Sequence, residues 1–241
     1  MPVYCVTGTN RGIGLEIVRQ LAQSPSNRIF ATVRPEADLG DLKAVSSETT
    51  HILACDTGSL TSIHGFAKET ARLLSVLGGL KIDYVINGAA VNLASSQNSL
   101  GLGPDDFAAM MAINVLGPAK VVEFLLENGA LADDVKVGNM TSGLASMVRT
   151  VETKGRKCTG YSISKVGLNM LSVHMAEDLR ESLKEAVVVV LDPGWVKTRM
   201  GGQGAVLEPA ESVSGILGVI HGLKAEDNGK FFHHTGSEIP W

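Results

Sequence analysis

Residues 3–14 read VYCVTGTNRGIG, an apolar β-branched run that leads directly into a glycine-rich turn. An amphipathic pattern with Leu15, Val18 and Leu21 follows at once, as in a helix that packs on a sheet. Glycines permit a tight turn, let the backbone approach a pyrophosphate, and present helix N–H groups to its charge. This order predicts a phosphate-binding loop; the alternative is a glycine-rich turn without a ligand. The expected cofactor contacts in the loop are Gly8, Asn10, Arg11, Gly12, Ile13 and Gly14.

The rest of the chain repeats the alternation of short apolar runs and longer helical patterns. Strands are predicted at 3–6, 28–33, 51–54, 82–86, 135–137 and 187–191. Helices are predicted at 12–23, 38–46, 59–77, 104–128, 160–184 and 209–222. Such alternation is typical of a doubly wound parallel sheet with helices on both faces. We expect an α/β fold of the Rossmann type with about seven strands, in which residues 1–241 form a single domain because no linker or repeat divides them.

Composition narrows the class of function. The 21 basic and 25 acidic residues give a net charge of −4, and no run of like charges suggests a nucleic-acid or membrane-binding surface. Three distant cysteines fit neither a zinc site nor a disulfide framework, and the histidines lack the spacing of a metal site. No signal segment and no apolar run of about 20 residues is expected. We therefore expect a cytoplasmic protein that acts on a small molecule, without a catalytic metal.

The end of the second predicted strand indicates which nucleotide binds. In dinucleotide-binding folds, a residue about 20 positions beyond the glycine-rich loop meets the adenosine ribose: an acid for a free 2′-hydroxyl, an arginine for a 2′-phosphate. Here the strand ends in Arg34 without an acid, and Arg11 could add a second positive charge. NADP(H) is favoured over NAD(H), the alternative being that Arg34 is an ordinary solvated arginine. Asp56 and Thr57, after the third strand, are expected beside the adenine.

Tyr161 and Lys165 are the candidate chemical groups. Positions i and i+4 of a helix share one face, so the phenol and the ammonium project into the same space. A tyrosine has an ordinary pKa of about 10, and a lysine together with an oxidised nicotinamide should stabilise its phenolate. The pair predicts an acid or base catalyst, although a tyrosine four residues before a lysine is also a common surface pair.

Five motifs in order resemble the short-chain dehydrogenase/reductase family, and the resemblance covers essentially the whole chain. They are residues 7–14, Ile113-Asn114-Val115, Asn139-Met140-Thr141-Ser142, Tyr161 with Lys165, and Asp192-Pro193-Gly194. The resemblance implies that Tyr161 passes the proton and that Ser142 holds the substrate oxygen. It also implies that Lys165 binds the nicotinamide ribose and that Asn114 anchors a water for proton relay. Residues 198–202 and the closing stretch from 229–232 through 239–241 are similar to the sniffer-like and C-factor-like carbonyl reductase branch.

The family pattern implies further cofactor contacts after the fourth and sixth strands. These are Asn87, Gly88, Ala89, Pro193, Gly194, Val196 and Thr198. The chain departs from the usual Asn-Asn-Ala-Gly, because residues 87–90 read Asn-Gly-Ala-Ala. Local alternatives stay open as well: Ser142 as a capping serine, Asn114 as a satisfied polar residue in a helix, and Pro193-Gly194 as a plain turn.

The resulting hypothesis is reversible, NADPH-dependent reduction of a ketone or aldehyde with Tyr161 as proton donor. The alternative is a cofactor-binding regulatory or signalling protein with little turnover; a serine hydrolase would lack the Gly-x-Ser-x-Gly turn. The substrate is expected to be a mostly apolar carbonyl compound. Besides Ser142, its expected contacts are Leu93, Leu144, Met147, Trp195 and Met200.

We also expect two exposed loop segments and an oligomeric assembly. Residues 201–204 should form a flexible lid segment, and the basic stretch 154–157 should be an exposed loop beside the substrate entrance. The helices that hold Asn114 and Tyr161 carry more apolar residues than one buried stripe needs. These include Phe107, Met110, Val166, Leu168 and Val173. Together with the resemblance, they suggest a homodimer or homotetramer paired across a two-fold axis.

Overall fold

The computed structural model describes residues 1–93, 95–154 and 156–241. Its strands are β1 (Val3–Thr7), β2 (Arg28–Val33), β3 (Thr50–Ala54), β4 (Ile82–Asn87), β5 (Leu131–Met140), β6 (Val187–Asp192) and β7 (Phe231–His233). They form one sheet in the order β3-β2-β1-β4-β5-β6-β7, and each neighbouring pair runs parallel. The predicted doubly wound α/β sheet is confirmed.

Helices cover both faces of this sheet. They are α1 (Gly12–Leu21), α2 (Gly40–Val45), α3 (Leu60–Val76), α4 (Pro104–Met111), α5 (Gly117–Glu127), α6 (Met147–Glu152), α7 (Thr159–Ser182) and α8 (Pro209–Gly222). Apolar residues of α3, α5 and α7 pack on one face, and those of α1, α2 and α8 pack on the other. Strand β6 lies between the two layers, which explains why its five apolar residues run without polar alternation: all are buried.

The strand order reverses at β1, which places the start of a ligand crevice. The chain moves outward from β1 through β2 to β3, then crosses to β4 on the other side of β1. In open parallel sheets, ligands bind beyond the carboxyl ends of the strands at this reversal. The segments after β1 and β4 therefore face the expected cofactor position.

Several elements differ from the sequence-based predictions. Helix 104–128 is two helices joined by a π-helical turn at Ala112–Leu116, and β5 is ten residues long rather than three. The short helix α6 and the three-residue strand β7 were not among the predicted segments. Elements this short bury few residues, so their hydrophobic periodicity is too brief to read from the sequence.

The expectation that no apolar segment approaches a bilayer's thickness was wrong. By length and composition alone, Pro104–Glu127 is helical and apolar enough to cross a membrane. A core helix of a soluble protein passes the same test, and here Val121, Val122 and Leu125 are buried in the core cluster shared with α3.

Candidate active site

The glycine-rich loop after β1 is held tightly against β2. The backbone N–H groups of Gly8 and Thr9 donate to the Thr32 oxygen at 3.1 and 3.0 Å, and the Thr9 hydroxyl donates to the same oxygen. Gly8 and Gly12 have φ angles of 76° and 58°, a region that favours glycine. A Cβ atom on Gly14 would clash with the Gly8 carbonyl oxygen. The loop therefore needs glycine for its close turn.

The start of α1 is free to receive an anion. The residue before the helix, Arg11, makes no side-chain capping bond, and the first turn contains no acid. First-turn N–H groups have no partner within a helix, so they can donate to a phosphate. Arg11 and Arg34 are exposed, and neither forms a salt bridge within the described part of the chain. Asn10 and Ile13, beside this turn, are partly buried.

The floor of the crevice lies between β1 and β4. A Cβ atom on Gly8 would be 2.8 Å from the Ala89 Cα, and one on Gly88 would be 2.9 Å from the Thr7 oxygen. Ala89 N–H donates to the Thr7 hydroxyl at 3.1 Å. Asn87 is buried and donates to Asn139, while its own Oδ1 has no partner among the described residues. The close approach of two backbones and the unpaired amide oxygen both fit a flat group lying on this floor.

Asp56 and Thr57 follow β3 on the adenine side of the expected crevice. Asp56 accepts a hydrogen bond from Gly58 N–H at 3.0 Å and remains partly exposed. Thr57 is buried, and a Cβ atom on Gly117 would lie 2.6 Å from its carbonyl oxygen. Thr57 therefore packs directly against the start of α5, whereas the Asp56 side chain is the more accessible of the two.

Lys165 lies almost completely buried beneath Tyr161 on α7. Its Nζ donates to the Met140 carbonyl oxygen at 2.7 Å and lies 5.6 Å from the centre of the Tyr161 ring. Burial lowers the pKa of Lys165 to about 7. The prediction that both side chains lie on one face of the helix is confirmed.

Tyr161 is held in its acid form. Burial raises the pKa of the Tyr161 phenol above its ordinary value, and the nearby Asp192 carboxylate and Cys158 raise it further. The sequence-based expectation of a stabilised phenolate relied on a positively charged nicotinamide as well as Lys165. For the protein's own groups, burial and the Asp192 carboxylate raise this pKa, so the phenol keeps its proton near neutral pH.

Ser142 stands where β5 ends and a 3₁₀ turn, Gly143–Ala145, begins. Its oxygen accepts a hydrogen bond from Leu144 N–H at 3.2 Å, so the capping role considered from the sequence is present. Accepting this bond leaves the hydroxyl proton available for a substrate oxygen. A Cβ atom on Gly143 would lie 2.8 Å from an Asp192 carboxylate oxygen, so this carboxylate lies directly beside the turn that Ser142 caps.

Asn114 occupies the π-helical turn between α4 and α5, a feature that is frequent at functional sites. Its Oδ1 accepts from Val91 N–H at 2.9 Å, and its Nδ2 donates to the Val91 oxygen and to the Ser164 hydroxyl. Ser164 in turn donates to the Tyr161 carbonyl oxygen at 2.7 Å. Because both amide protons and the amide oxygen are engaged, the side chain braces the tyrosine helix. The water relay stays a prediction.

The segment after β6 returns to the glycine-rich loop. Gly194 has a φ angle of 77°, its N–H donates to Asp192 at 3.0 Å, and the Pro193 oxygen accepts from Ser212. Val196 is buried and bridges to Leu207. The Thr198 methyl carbon lies 3.5 Å from where a Cβ on Gly12 would stand. Thr198, after β6, therefore lies beside Gly12 of the glycine-rich loop, although the two residues come from opposite halves of the chain.

The predicted substrate wall is open to solvent. Four of its side chains are 43–63% exposed: Leu144, Met147, Trp195 and Met200. Leu93 is partly buried. The Trp195 indole packs against residues 201–204, the segment expected to form a lid. Its N–H donates to the Gly201 oxygen at 2.8 Å, and a Cβ on Gly204 would be 2.9 Å from the ring. Lys154, Arg156 and Lys157 are exposed as expected, whereas Gly155 lies outside the described residues.

Sequence reasoning missed two groups and misjudged two others. It assigned no role to the Asp192 carboxylate, which opens the motif Asp192-Pro193-Gly194, or to Ser164, which lies between Tyr161 and Lys165 in the sequence. Of the apolar residues expected in surplus on the helices, Met110 and Leu168 are buried within the chain, so they are core residues.

No group of three or more His, Cys, Asp or Glu side chains suited to a metal occurs among residues 1–93, 95–154 and 156–241.

Comparison with known sequences finds one matching family and several similar proteins. The sequence profile of the short chain dehydrogenase family matches residues 2–205. C-signal of Myxococcus xanthus is 39% identical over 166 residues, which covers 66% of this chain and 93% of that protein. The 1-hydroxy-2-glutathionyl-2-methyl-3-butene dehydrogenase of Rhodococcus sp. (strain AD45) is 30% identical over 249 residues and the match covers 100% of both chains.

Solved structures agree over the full length. An NADPH-bound carbonyl reductase from chicken fatty liver superposes with a TM-score of 0.87 at 26% identity, covering 100% of both chains. The carbonyl reductase Sniffer of D. melanogaster superposes with a TM-score of 0.86 at 24% identity, again over 100% of both chains. The chain therefore shares the fold of these structures over its full length.

Proposed function

The chain belongs to the short chain dehydrogenase family, and from this premise we propose that it reduces a ketone or aldehyde with NADPH and catalyses the reverse alcohol oxidation. The observation that carries the proposal is Tyr161, a phenol whose pKa is raised by burial and whose ring lies over the buried Lys165, which is itself bound to Met140 at the carboxyl end of β5. A proton donor at that place suits a reaction that creates an alkoxide.

The protein's own residues supply the proton and the orientation. Ser142 keeps a hydroxyl proton with which to hold the substrate oxygen, and Tyr161 donates its proton to that oxygen as negative charge develops. The bound nucleotide would supply the hydride to the carbonyl carbon, giving an alcohol and the oxidised nucleotide. Lys165 lies below Tyr161, where it can hold the nicotinamide ribose and stabilise the phenolate left after proton transfer.

NADP(H) is the proposed nucleotide. Arg34 and Arg11 are exposed arginines without salt-bridge partners in the described ranges, so both are free for a 2′-phosphate. The carbonyl reductase from chicken fatty liver, 26% identical, is described as NADPH bound, which supports the same preference. NAD(H) is the less favoured alternative.

The exposed apolar side chains around the entrance support a mostly apolar small-molecule substrate. We extend the proposal to a single domain over residues 1–241, in the cytoplasm, assembled as a homodimer or homotetramer. Phe107, Val166 and Val173 remain partly or largely exposed on α4 and α7, which supports an assembly through these helices. Light scattering at micromolar concentration tests the assembly, and a monomeric mass contradicts it.

Turnover tests the function directly. NADPH consumption is measured with a panel of aromatic and aliphatic ketones and aldehydes, for the wild type and for Tyr161→Phe. The variant keeps the ring and its packing but lacks the proton, so kcat should fall by about 10²- to 10⁴-fold while NADPH binding survives. Near wild-type reduction by Tyr161→Phe would refute the mechanism.

A signalling role with little turnover is the second candidate. It is supported by the relative named C-signal, which is 39% identical over 166 residues. A pure nucleotide binder has no physical need for a phenol above a buried lysine. NADPH binding without consumption of any carbonyl in the panel would favour the signalling role.

A further inference from the structure

The segment 143–152 carries part of the predicted substrate wall but has little internal support. It consists of a 3₁₀ turn and the six-residue helix α6, with Leu144 and Met147 exposed at its surface. A helix this short is not stable by itself in water. Its position must therefore depend on contacts with other parts of the chain.

Those contacts come from the far end of the sequence. The Ser146 hydroxyl donates to the Pro240 carbonyl oxygen at 2.7 Å, and the same Ser146 oxygen accepts from Arg149 N–H at the start of α6. Val148 N–H, a first-turn donor with no partner inside the helix, donates to the Trp241 carbonyl oxygen at 3.2 Å. Residues 240 and 241 thus hold the beginning of α6 through two hydrogen bonds.

Residues 239–241 are in turn fixed to the sheet. Ile239 is 1% exposed, packs with Val190 and Phe231, and donates from its N–H to the Phe231 oxygen at 2.7 Å. The centres of the Trp241 and Phe231 rings are 5.5 Å apart, within the range of aromatic packing. Strand β6 is therefore connected through the edge strand β7 to the substrate segment.

We propose that residues 239–241 are a tether that positions segment 143–152, and that Trp241 determines which carbonyl substrates fit the wall formed by Leu144 and Met147. The proposal rests on the proposed reductase function. Ser142 precedes the segment and is separated from β5 only by Thr141, whose N–H donates to the Leu191 oxygen in β6. Loss of the tether should therefore disturb the wall more than the proton-transfer site.

Two measurements test the tether in the full-length chain. The first is amide hydrogen exchange over residues 146–152 in Trp241→Ala and Ser146→Ala. Exchange should accelerate by about tenfold or more in both, and Trp241→Phe, which retains a ring against Phe231, should restore protection. Phe232→Leu is the matched control, because Phe232 neighbours Phe231 on β7 but packs with the cluster on the other face of the sheet.

The second measurement compares a bulky aromatic ketone with a small aliphatic aldehyde. Trp241→Ala should raise KM for the aromatic ketone about tenfold, the usual scale for losing an apolar contact in a pocket. The kcat for the aldehyde and the dissociation constant for NADPH should stay within about twofold of wild type. Unchanged amide exchange overturns the proposal. Faster exchange with an unchanged ratio of the KM values for the two substrates overturns it as well. A wild type that reduces neither compound overturns the reductase function instead, while the exchange result still decides whether the tether exists.

Discussion

Replacement of Lys165 by Met measures the cost of burying its charge. Burial lowers the pKa of Lys165 to about 7, against 10.5 for a solvated lysine. In the unfolded chain the amine therefore holds its proton over a pH range in which the folded amine has lost it. Stability rises with pH wherever the unfolded state binds more protons, so the wild type should gain stability as the pH rises from about 7 to about 10.

The size of the effect follows from the two pKa values. Each pKa unit corresponds to about 1.36 kcal/mol, and integration between about pH 6 and about pH 10 gives about 4 kcal/mol. Lys165→Met removes this dependence and fills much of the same volume. It also leaves the Met140 carbonyl oxygen without its donor, at a cost of about 1–3 kcal/mol that does not change with pH.

Urea unfolding of the nucleotide-free protein across this pH range provides the test. The difference in unfolding free energy between Lys165→Met and wild type should shift by about 4 kcal/mol, with the variant relatively more stable at acid pH. Lys68→Met, on the exposed side of α3, controls for the loss of a surface lysine. A difference that changes by less than about 1 kcal/mol across the range would show that the amine is solvated, and would refute the reasoning.

Three further substitutions test the remaining parts of the site. Arg34→Asp should abolish or reverse the preference for NADPH over NADH in fluorescence titrations, because an anion would face the 2′-phosphate; equal wild-type affinities would remove the claim. Asp192→Asn should shift the alcohol-oxidation profile to lower pH, since the carboxylate raises the pKa of Tyr161; an unshifted profile contradicts this. Gly14→Ala should cost about 1–3 kcal/mol of stability and weaken NADPH binding, because the methyl group has no room. The control, Gly65→Ala inside α3, has open space and should stabilise by about 0.5–1 kcal/mol, and equal effects would sink the steric argument.

The glycine-rich turn and the strand-helix alternation were readable because both depend on local properties. A glycine permits a turn with positive φ, and a run of β-branched residues favours a strand, whatever residues lie elsewhere in the chain. The helix spacing of Tyr161 and Lys165 likewise fixes their common face. The π-helical turn at 112–116 was not readable, because it interrupts a continuous helical pattern without any proline or glycine inside it. Strand β7 has only three residues, too few for a periodic signal.

The sequence by itself determined the order of the main elements, the end of the sheet at which a nucleotide is expected and the residue types available for chemistry. Only the tertiary structure decided how those residues are used, since their partners lie far away in the chain. Asn114 has its amide engaged by Val91 and Ser164, and Pro240 accepts a hydrogen bond from Ser146, 94 positions earlier. Burial of Lys165, and hence the cost of its charge, arises from the packing of α7 on β5 and β6. Local pattern specifies a fold because periodicity is local, whereas desolvation and hydrogen-bond partners are set by segments that meet only after the chain has folded.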